Sequence, residues 1–304
     1  MNLKHALIEC VPNFSEGTHP EIIQKILHAM KLDGVSLLDY SLDSDHNRSV
    51  ITIAGAPEPV LESILRGVGM AVERIDLTAQ QGVHPRIGAA DVIPLVPIRG
   101  ITLPECAVLA HQLGQEIWKR YHVPVYFYEA AALRPDRRLL EDVRNGQFEG
   151  LRKQVAQDAG RRPDVGGPAL HPTAGASAVG ARQLLIACNV YLNTSNVGIA
   201  RTIAREIRAA NGGLAGLKAM GVLVGGRAQV SMNITNFEAT SISNVYRSVK
   251  EAAAKLGTHP ERVELIGLVP EAAIEQDSEW MQLATGFKAD RTLERKLEEP
   301  LIWP

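Results

Sequence analysis

Cysteine is scarce in this sequence. Cys10, Cys106 and Cys188 are the only three in 304 residues, odd in number and far apart. Such spacing offers neither a disulfide framework nor a cysteine-rich zinc site, and it fits a reducing cytoplasm. The opening stretch MNLKHALIECVPNFSEG has too short an apolar run for a signal peptide, and no later stretch offers about 20 uninterrupted apolar residues for a membrane span. An excess of one charge is also lacking. Lys and Arg number 32 against 34 Asp and Glu, a formal net charge of −2, which removes the bulk electrostatic case for a nucleic-acid or anionic-membrane partner. The signatures H-E-x-x-H, the EF-hand loop, G-x-G-x-x-G after a strand and the P-loop are absent from the sequence. The expectation is a soluble cytoplasmic protein with no metal, no nucleic acid and no membrane among its partners.

The composition is that of an ordinary globular protein, 45% hydrophobic and 22% charged. A chain of this length suits two domains, at roughly 100 to 200 residues each. ALIECVP reads as a strand, and residues 19–31 as a helix with Ile22, Ile23, Ile26, Leu27 and Met30 at helical spacing. GVSLLDYSLD and RSVITIAG read as two strands, residues 57–75 as a helix and DVIPLVPI as a further strand. A helix over 104–121, the strand VPVYFYE and a charged, glycine-broken connection over 134–162 follow. The second half repeats the order. ARQLLIACNVYLN is a strand, 197–210 a helix, GLKAMGVLV and RAQVSMNIT a hairpin turning at Gly225 and Gly226, 242–256 a helix and RVELIGLVP a closing strand. The expected fold class is α/β (α+β): two ferredoxin-like βαββαβ subdomains with sheets packed on each other and helices outside. The Gly/Pro-rich stretch near Ala176 places the boundary, giving domains 1–176 and 177–304 with a ligand cleft expected where they meet.

Several residues carry chemistry. His84, in the loop GVHPRIG, is of the residue type whose ordinary pKa lies near neutrality and which suits proton transfer. Arg86, two residues on, and Arg48 have the fork that pairs with substrate carboxylates, although a structural salt bridge is the commoner fate of an arginine. The run DYSLDSDHNR concentrates Asp39, Asp43, Asp45, His46 and Arg48. Asp39, after Leu37 and Leu38, is the carboxylate expected to face a cleft. The loop of Gly166, Gly167, Pro168, Ala169, Leu170, His171, Pro172, Thr173, Ala174 and Gly175 suits either a hinge or the close approach of a flat ligand to backbone amides. Asn189, Asn193, Asn196, Asn233 and Asn236 stand at or beyond strand ends, where amides can bind a pterin or amino-acid head group but caps and turns are the commoner use, and Asn196 reads as an N-cap. Buried, inert thiols are expected of the cysteines.

Eight segments in order, IECVPNFSEG, HNRSVITIAG, GVHPRIGAADVIPLVPIRG, VPVYFYEAA, PDVGGP, GARQLLIACNVYLN, AQVSMNITNFE and IGLVPEAA, resemble the formiminotransferase family from about residue 7 to 275. The resemblance implies a homodimer of two α/β subdomains, and transfer of a formimino group from N-formimino-L-glutamate to N5 of tetrahydrofolate with release of L-glutamate, in histidine degradation. It implies that His84 moves the proton, that residues 166–175 hold the folate, that Asp39 lines the site, and that no metal takes part. In place of the serines and tryptophan of the vertebrate-type loop this chain has Ala169, His171, Thr173 and Ala174. It also ends at Pro304, without the cyclodeaminase domain of bifunctional members. Formyl transfer or cyclo-ligase-like activity on 5-formyltetrahydrofolate is the alternative on the same fold, and a non-catalytic folate or amino-acid binding module is the alternative from another class. Arg134, Arg137, Arg138 and Arg144 are candidates for a basic groove taking a polyglutamate tail, beside their plainer reading as a solvated face.

Overall fold

The computed structural model describes residues 5–304 except 45, 83–84, 276–277, 285–286 and 288–290. The chain divides into one unit of residues 1–182 and 300–304 and another of Gln183–Glu299.

The first unit opens with β1 (Leu7–Cys10), β2 (Asn13–Phe14), α1 (Pro20–Met30), β3 (Val35–Asp43), β4 (Arg48–Gly55), α2 (Pro57–Arg74) and β5 (Ala90–Arg99). It continues with α3 (Leu103–Tyr121), β6 (Val125–Glu129), α4 (Leu140–Val143), α5 (Gln147–Gln157) and β7 (Ser177–Ala181). Helix α1 forms as its spacing predicts: Ile23, Ile26, Leu27 and Met30 make one buried stripe. Helix α3 starts at a capping box between Thr102 and Glu105 and stops at His122 in the left-handed conformation, φ 53°. The sheet runs β3-β4-β1/β2-β5-β7-β6. Its first part is antiparallel and has the strand order of a ferredoxin-like unit, whereas β7 lies parallel to both β5 and β6.

Alternation along the strands sorts the side chains. Ile8, Cys10, Ile51, Ile53, Ile93 and Leu95 join the core formed with α1, α2 and α3. Glu9 pairs with Ala54, Asp39 with Thr52 and Asp43 with Arg48 in register, so the helix-free face of β1, β3 and β4 is polar and charged.

Two expectations are corrected here. The break between the units follows Arg182 and not residue 176, and the strand expected over 181–193 is Ile186–Leu192 of the second sheet, whereas Ser177–Ala181, in the stretch read as the boundary, is a strand of the first sheet. The stretch SAVGA looks like linker because its residues are small, yet small residues are what fit between β5 and β6: a Cβ on Gly180 would lie 2.5 Å from the Tyr128 ring. The last five residues also return to the first unit, where Leu301 N donates to Leu37 O at 2.8 Å and Trp303 Nε1 to Val35 O at 3.2 Å.

The second unit contains β8 (Ile186–Leu192), α6 (Val197–Ile207), β9 (Leu217–Val224), β10 (Arg227–Ile234), α7 (Ile242–Lys255), β11 (Pro260–Ile266), α8 (Glu279–Leu283) and α9 (Leu293–Glu298). Its four strands are antiparallel in the order β11-β8-β10-β9, again ferredoxin-like. Cys188, Val190, Val230 and Met232 belong to the core shared with α6 and α7. The other face carries the rows Ser231–Asn189–Glu264 and Gln229–Tyr191–Arg262. There the Arg262 guanidinium lies 3.8 Å from the centre of the Tyr191 ring. All three cysteines are buried free thiols, as expected, and burial pushes Cys188 up to about 12.

Candidate active site

Three of the segments singled out in the sequence converge within the first unit: the hairpin tip around residues 43–48, the loop over 80–89 and the loop over 166–175. His84 itself lies outside the described residues, and the chain on either side of it is held by named contacts. On the near side stands Asn47, with φ 48°, a left-handed conformation that asparagine tolerates well. Its Nδ2 donates to Gln81 O at 2.7 Å, its carbonyl accepts from Gln80 Nε2 at 3.1 Å, and its Oδ1 accepts from Gly17 N at 2.9 Å. A Cβ on Gly17 would come within 2.3 Å of Asp43 O, so only glycine lets that loop cross the hairpin.

On the far side Arg86 is buried and fully engaged. Its Nη2 reaches Glu149 Oε1 at 2.9 Å, Gln80 O at 2.9 Å and Leu77 O at 3.3 Å, and its Nε bonds Gln80 Oε1. Of the two readings of Arg86, the structure shows the structural ion pair, with Glu149, and not the partner for substrate carboxylates, since its donors are spent inside the fold. Asp91 holds the next turn: its Oδ1 accepts from Ile87 N at 2.7 Å and Gly88 N at 3.2 Å, and its Oδ2 pairs with Arg144 Nη2.

The loop over 166–175 is docked against this same turn. Leu77 N donates to Thr173 O, Ala89 N to Ala174 O and Ala176 N to Ile87 O, each at 2.9 Å. His171 Nδ1 accepts from Ala174 N at 3.0 Å, which leaves Nε2 as the protonated nitrogen of the neutral ring. Burial, then the nearby His122, holds the His171 pKa below its ordinary value. Gly166, Pro168, Ala169 and Pro172 are exposed. The front of the loop is set by Asp164, whose Oδ2 accepts from Phe127 N at 2.8 Å and whose Oδ1 pairs with the buried Arg137 Nη1 at 2.5 Å.

Asp39 stands half-buried on the helix-free sheet face, in register with Thr52. Glu9 is on that face too, buried, and burial lifts its carboxyl to about 7 against the pull of Arg182. Of the arginines expected to offer a polyglutamate groove, Arg134 pairs with Asp136 and Arg137 with Asp164, and both donate to Gly160 O. Among the asparagines, Asn196 caps α6 by accepting from Gly198 N at 3.0 Å, Asn236 closes a turn onto Ala239 N, and Asn193 accepts from Thr258 Oγ1. Only Asn189 and Asn233 face outward on a sheet. Sequence reading missed Asn47, Asp91 and Glu9. An asparagine at a hairpin tip is a recognisable turn signal, but nothing local announces a carboxylate whose partners are backbone amides of a neighbouring loop.

The open hollow lined by Tyr191, Val224, Gly225, Arg227, Glu261 and Arg262 belongs to the second unit and contains none of the convergent segments. No helix among the described residues is long and apolar enough to cross a membrane, and no group of three or more potential metal ligands occurs among them.

The arrangement joins an anchored loop carrying an imidazole to a glycine-rich loop with exposed backbone and a charged sheet face. The family model described as the formiminotransferase domain, N-terminal subdomain, matches residues 7–182, and that of the formiminotransferase domain matches 187–290. The glutamate formimidoyltransferase of Streptococcus pyogenes serotype M1 is 43% identical over 271 residues, covering 88% of this chain and 90% of that one. That of Thermoplasma acidophilum is 41% identical over 299 residues, 97% and 98% of the two chains. The formimidoyltransferase-cyclodeaminase of Gallus gallus is 39% identical over 277 residues, 88% of this chain but 51% of that one. Matches on both units, in order and over most of the length, establish that the chain belongs to the formiminotransferase family.

Proposed function

We propose that this protein is a glutamate formimidoyltransferase, moving the formimino group of N-formimino-L-glutamate to N5 of tetrahydrofolate. The supporting observation is the junction of the loop around position 84 with the loop over 166–175, read together with the near full-length similarity to two proteins of that name. Attack by N5 on the amidine carbon gives a tetrahedral intermediate. The bond from that carbon to the glutamate nitrogen then breaks, the nitrogen takes up a proton, and N5 gives one up. His84 is assigned both transfers, since an imidazole near its own pKa serves as base and acid in turn. Residues 166–175 are assigned to the folate, with the exposed backbone from Gly166 to Ala169 against its flat ring and Asp39 as a cleft carboxylate. The chain's own contribution is positioning and proton transfer; holding two substrates together supplies much of the rate.

The test is turnover of formiminoglutamate with tetrahydrofolate by the wild type and by His84→Ala. The expected outcome is a drop of about 10² to 10⁴ in kcat with folate binding retained. Unchanged kcat in the variant removes His84 from the mechanism, and a folded, folate-binding wild type without turnover removes the assigned reaction. A cytoplasmic homodimer is the accompanying proposal, which light scattering tests for the oligomer.

A further inference from the structure

The two sheets end in β3, β6, β9 and β11, and three of these edges are covered. Leu37 on β3 bridges to Leu301, Val125 on β6 to Val165, and Val263 on β11 to Ala284. β11 also has a register shift beside Pro260 and carries Glu261, Arg262 and Glu264, features that keep an edge from pairing with another chain. The fourth edge, β9, has none of this. It runs eight residues, LKAMGVLV, with one charge, at Lys218, and no proline. Among the described residues no strand or bridge lies on its outer side. The turn to β10 is a two-residue loop in which Gly225 and Gly226 are both left-handed, φ 55° and 75°, so Val224 and Arg227 close it as a hydrogen-bonded pair. Alternation from there turns the N–H and C=O of Val222 and Met220 toward β10, and those of Leu223, Gly221 and Ala219 outward. Met220 on one face is 60% exposed and Leu223 on the other 54%. An open row of backbone groups between exposed apolar side chains is a template for one more strand.

We propose that the strand added to β9 is β9 of a second copy of this chain, antiparallel, joining the two four-stranded sheets edge to edge. The inference gives a surface to the proposed homodimer and does not depend on the assigned reaction. β9 is apolar on both sides of its centre, so it matches itself. A two-fold axis at Gly221 makes the contact isologous. Ala219 of each copy then forms a hydrogen-bonded pair with Leu223 of the other, using the outward groups of both strands, and Met220 packs against Val222 in the closer, non-hydrogen-bonded pair. Lys218 comes opposite Val224, so no like charges oppose each other across the junction.

The test uses the full chain. Gly221 is left intact, because a Cβ there would lie 2.2 Å from Arg201 N, and the exposed positions take the charge instead, as Met220→Lys with Leu223→Lys, shown to be folded by its melting curve. Sedimentation at graded concentrations is expected to show a dimer in the wild type and an association at least about tenfold weaker in the double variant. The second arm is a disulfide. Side chains facing each other in a non-hydrogen-bonded pair are within its reach, so Met220→Cys with Val222→Cys should give a covalent dimer under mild oxidation. The wild type, whose three cysteines are buried, should give none. Met220→Cys alone should give none either, since its two copies sit on the diagonal, about 7 to 8 Å apart. Cross-linking by Met220→Cys alone overturns the axis at Gly221. A dimer that the lysine variant leaves intact and the cysteine pair does not cross-link overturns the proposal and keeps the homodimer, whereas a chain that is monomeric at every concentration overturns both. Turnover of formiminoglutamate is read separately, so neither outcome bears on the assigned reaction.

Discussion

The side-chain amide of Asn47 donates to the carbonyl of Gln81 across 2.7 Å, joining residues 34 apart in the chain. The same side chain accepts from Gly17 N, so one residue ties the first loop, the β3–β4 hairpin and the approach to position 84 together. In such a tie the hydrogen-bonding group and the backbone twist are separate contributions, and substitution can separate them.

Asn47→Ala removes both side-chain bonds and places a Cβ-bearing residue without local support at φ 48°. The expected cost is about 2 to 3 kcal/mol of stability. Asn47→Gly retains the backbone preference and should lose less. Both variants should reduce kcat more than either KM, because the loop they free carries His84, the residue assigned to proton transfer. Urea unfolding alongside steady-state kinetics checks this. Kinetics unchanged in a destabilised Asn47→Ala would show that the loop is positioned from its far side alone, by Arg86 and Asp91.

Glu9 makes stability depend on pH. Its folded pKa, about 7, lies above its ordinary value of 4.5 because burial favours the neutral carboxyl. The stabilisation is therefore complete below about 4.5 and is lost as pH rises through about 7. Its size is about 3 kcal/mol, at roughly 1.4 kcal/mol for each factor of ten in proton affinity. Glu9→Gln should match the wild type near pH 4.5 and exceed it in stability at pH 8, the difference growing between those limits. A difference independent of pH would mean that Arg182 keeps Glu9 ionised in the fold.

Arg137 and Asp164 bury opposite charges, each side chain 5% exposed. Removing one member leaves the other uncompensated, so Arg137→Met alone should cost about 3 to 5 kcal/mol. The double variant Arg137→Met, Asp164→Leu removes both charges but strands the Phe127 amide that Asp164 accepts, for about 1 to 3 kcal/mol. The double variant is thus expected to be no less stable than the single, a non-additivity that a double-mutant cycle in urea measures directly. Additive losses would place the role of Asp164 in the Phe127 hydrogen bond and not in the ion pair.

Both βαββαβ orders were legible in the sequence because hydrophobic period and turn residues agree over long elements. Ile23, Ile26, Leu27 and Met30 announce α1, and the Gly225–Gly226 pair announces the turn from β9 to β10. The SAVGA strand was not legible, because its identity comes from the two neighbours that squeeze it and not from apolar bulk. Position 84, the loop over 166–175 and Asp39 stand out by residue type and resemblance. Asp91 does not, and Arg144 stands out only as one of four arginines in a charged stretch: the two are 53 residues apart, and their pairing, with the amides of Ile87 and Gly88 that Asp91 accepts, has no local signal. Arg86 shows the reverse case. Its sequence position near His84 allowed substrate contact beside the commoner structural ion pair, and Glu149, Gln80 and Leu77 claim it.

Gly166 links the front of the loop to α3. Its φ is 77°, and a Cβ there would lie 2.4 Å from the Trp118 ring, which itself meets His122 edge-on at 5.4 Å between ring centres. Gly166→Ala therefore adds a left-handed backbone penalty of about 1 to 2 kcal/mol to a steric clash that an aromatic ring packed on His122 cannot easily relieve. The loop should shift at Gly166 to Ala169, where its backbone is assigned to the folate, while the half from His171 onward stays fixed by Thr173, Ala174 and Ala176. The expected result is a rise of about tenfold or more in KM for tetrahydrofolate, with KM for formiminoglutamate little changed. Adding Trp118→Ala removes the clash but not the backbone penalty and should restore part of the folate affinity. Equal rises in both KM values, unrelieved by Trp118→Ala, would remove the folate assignment from this half of the loop.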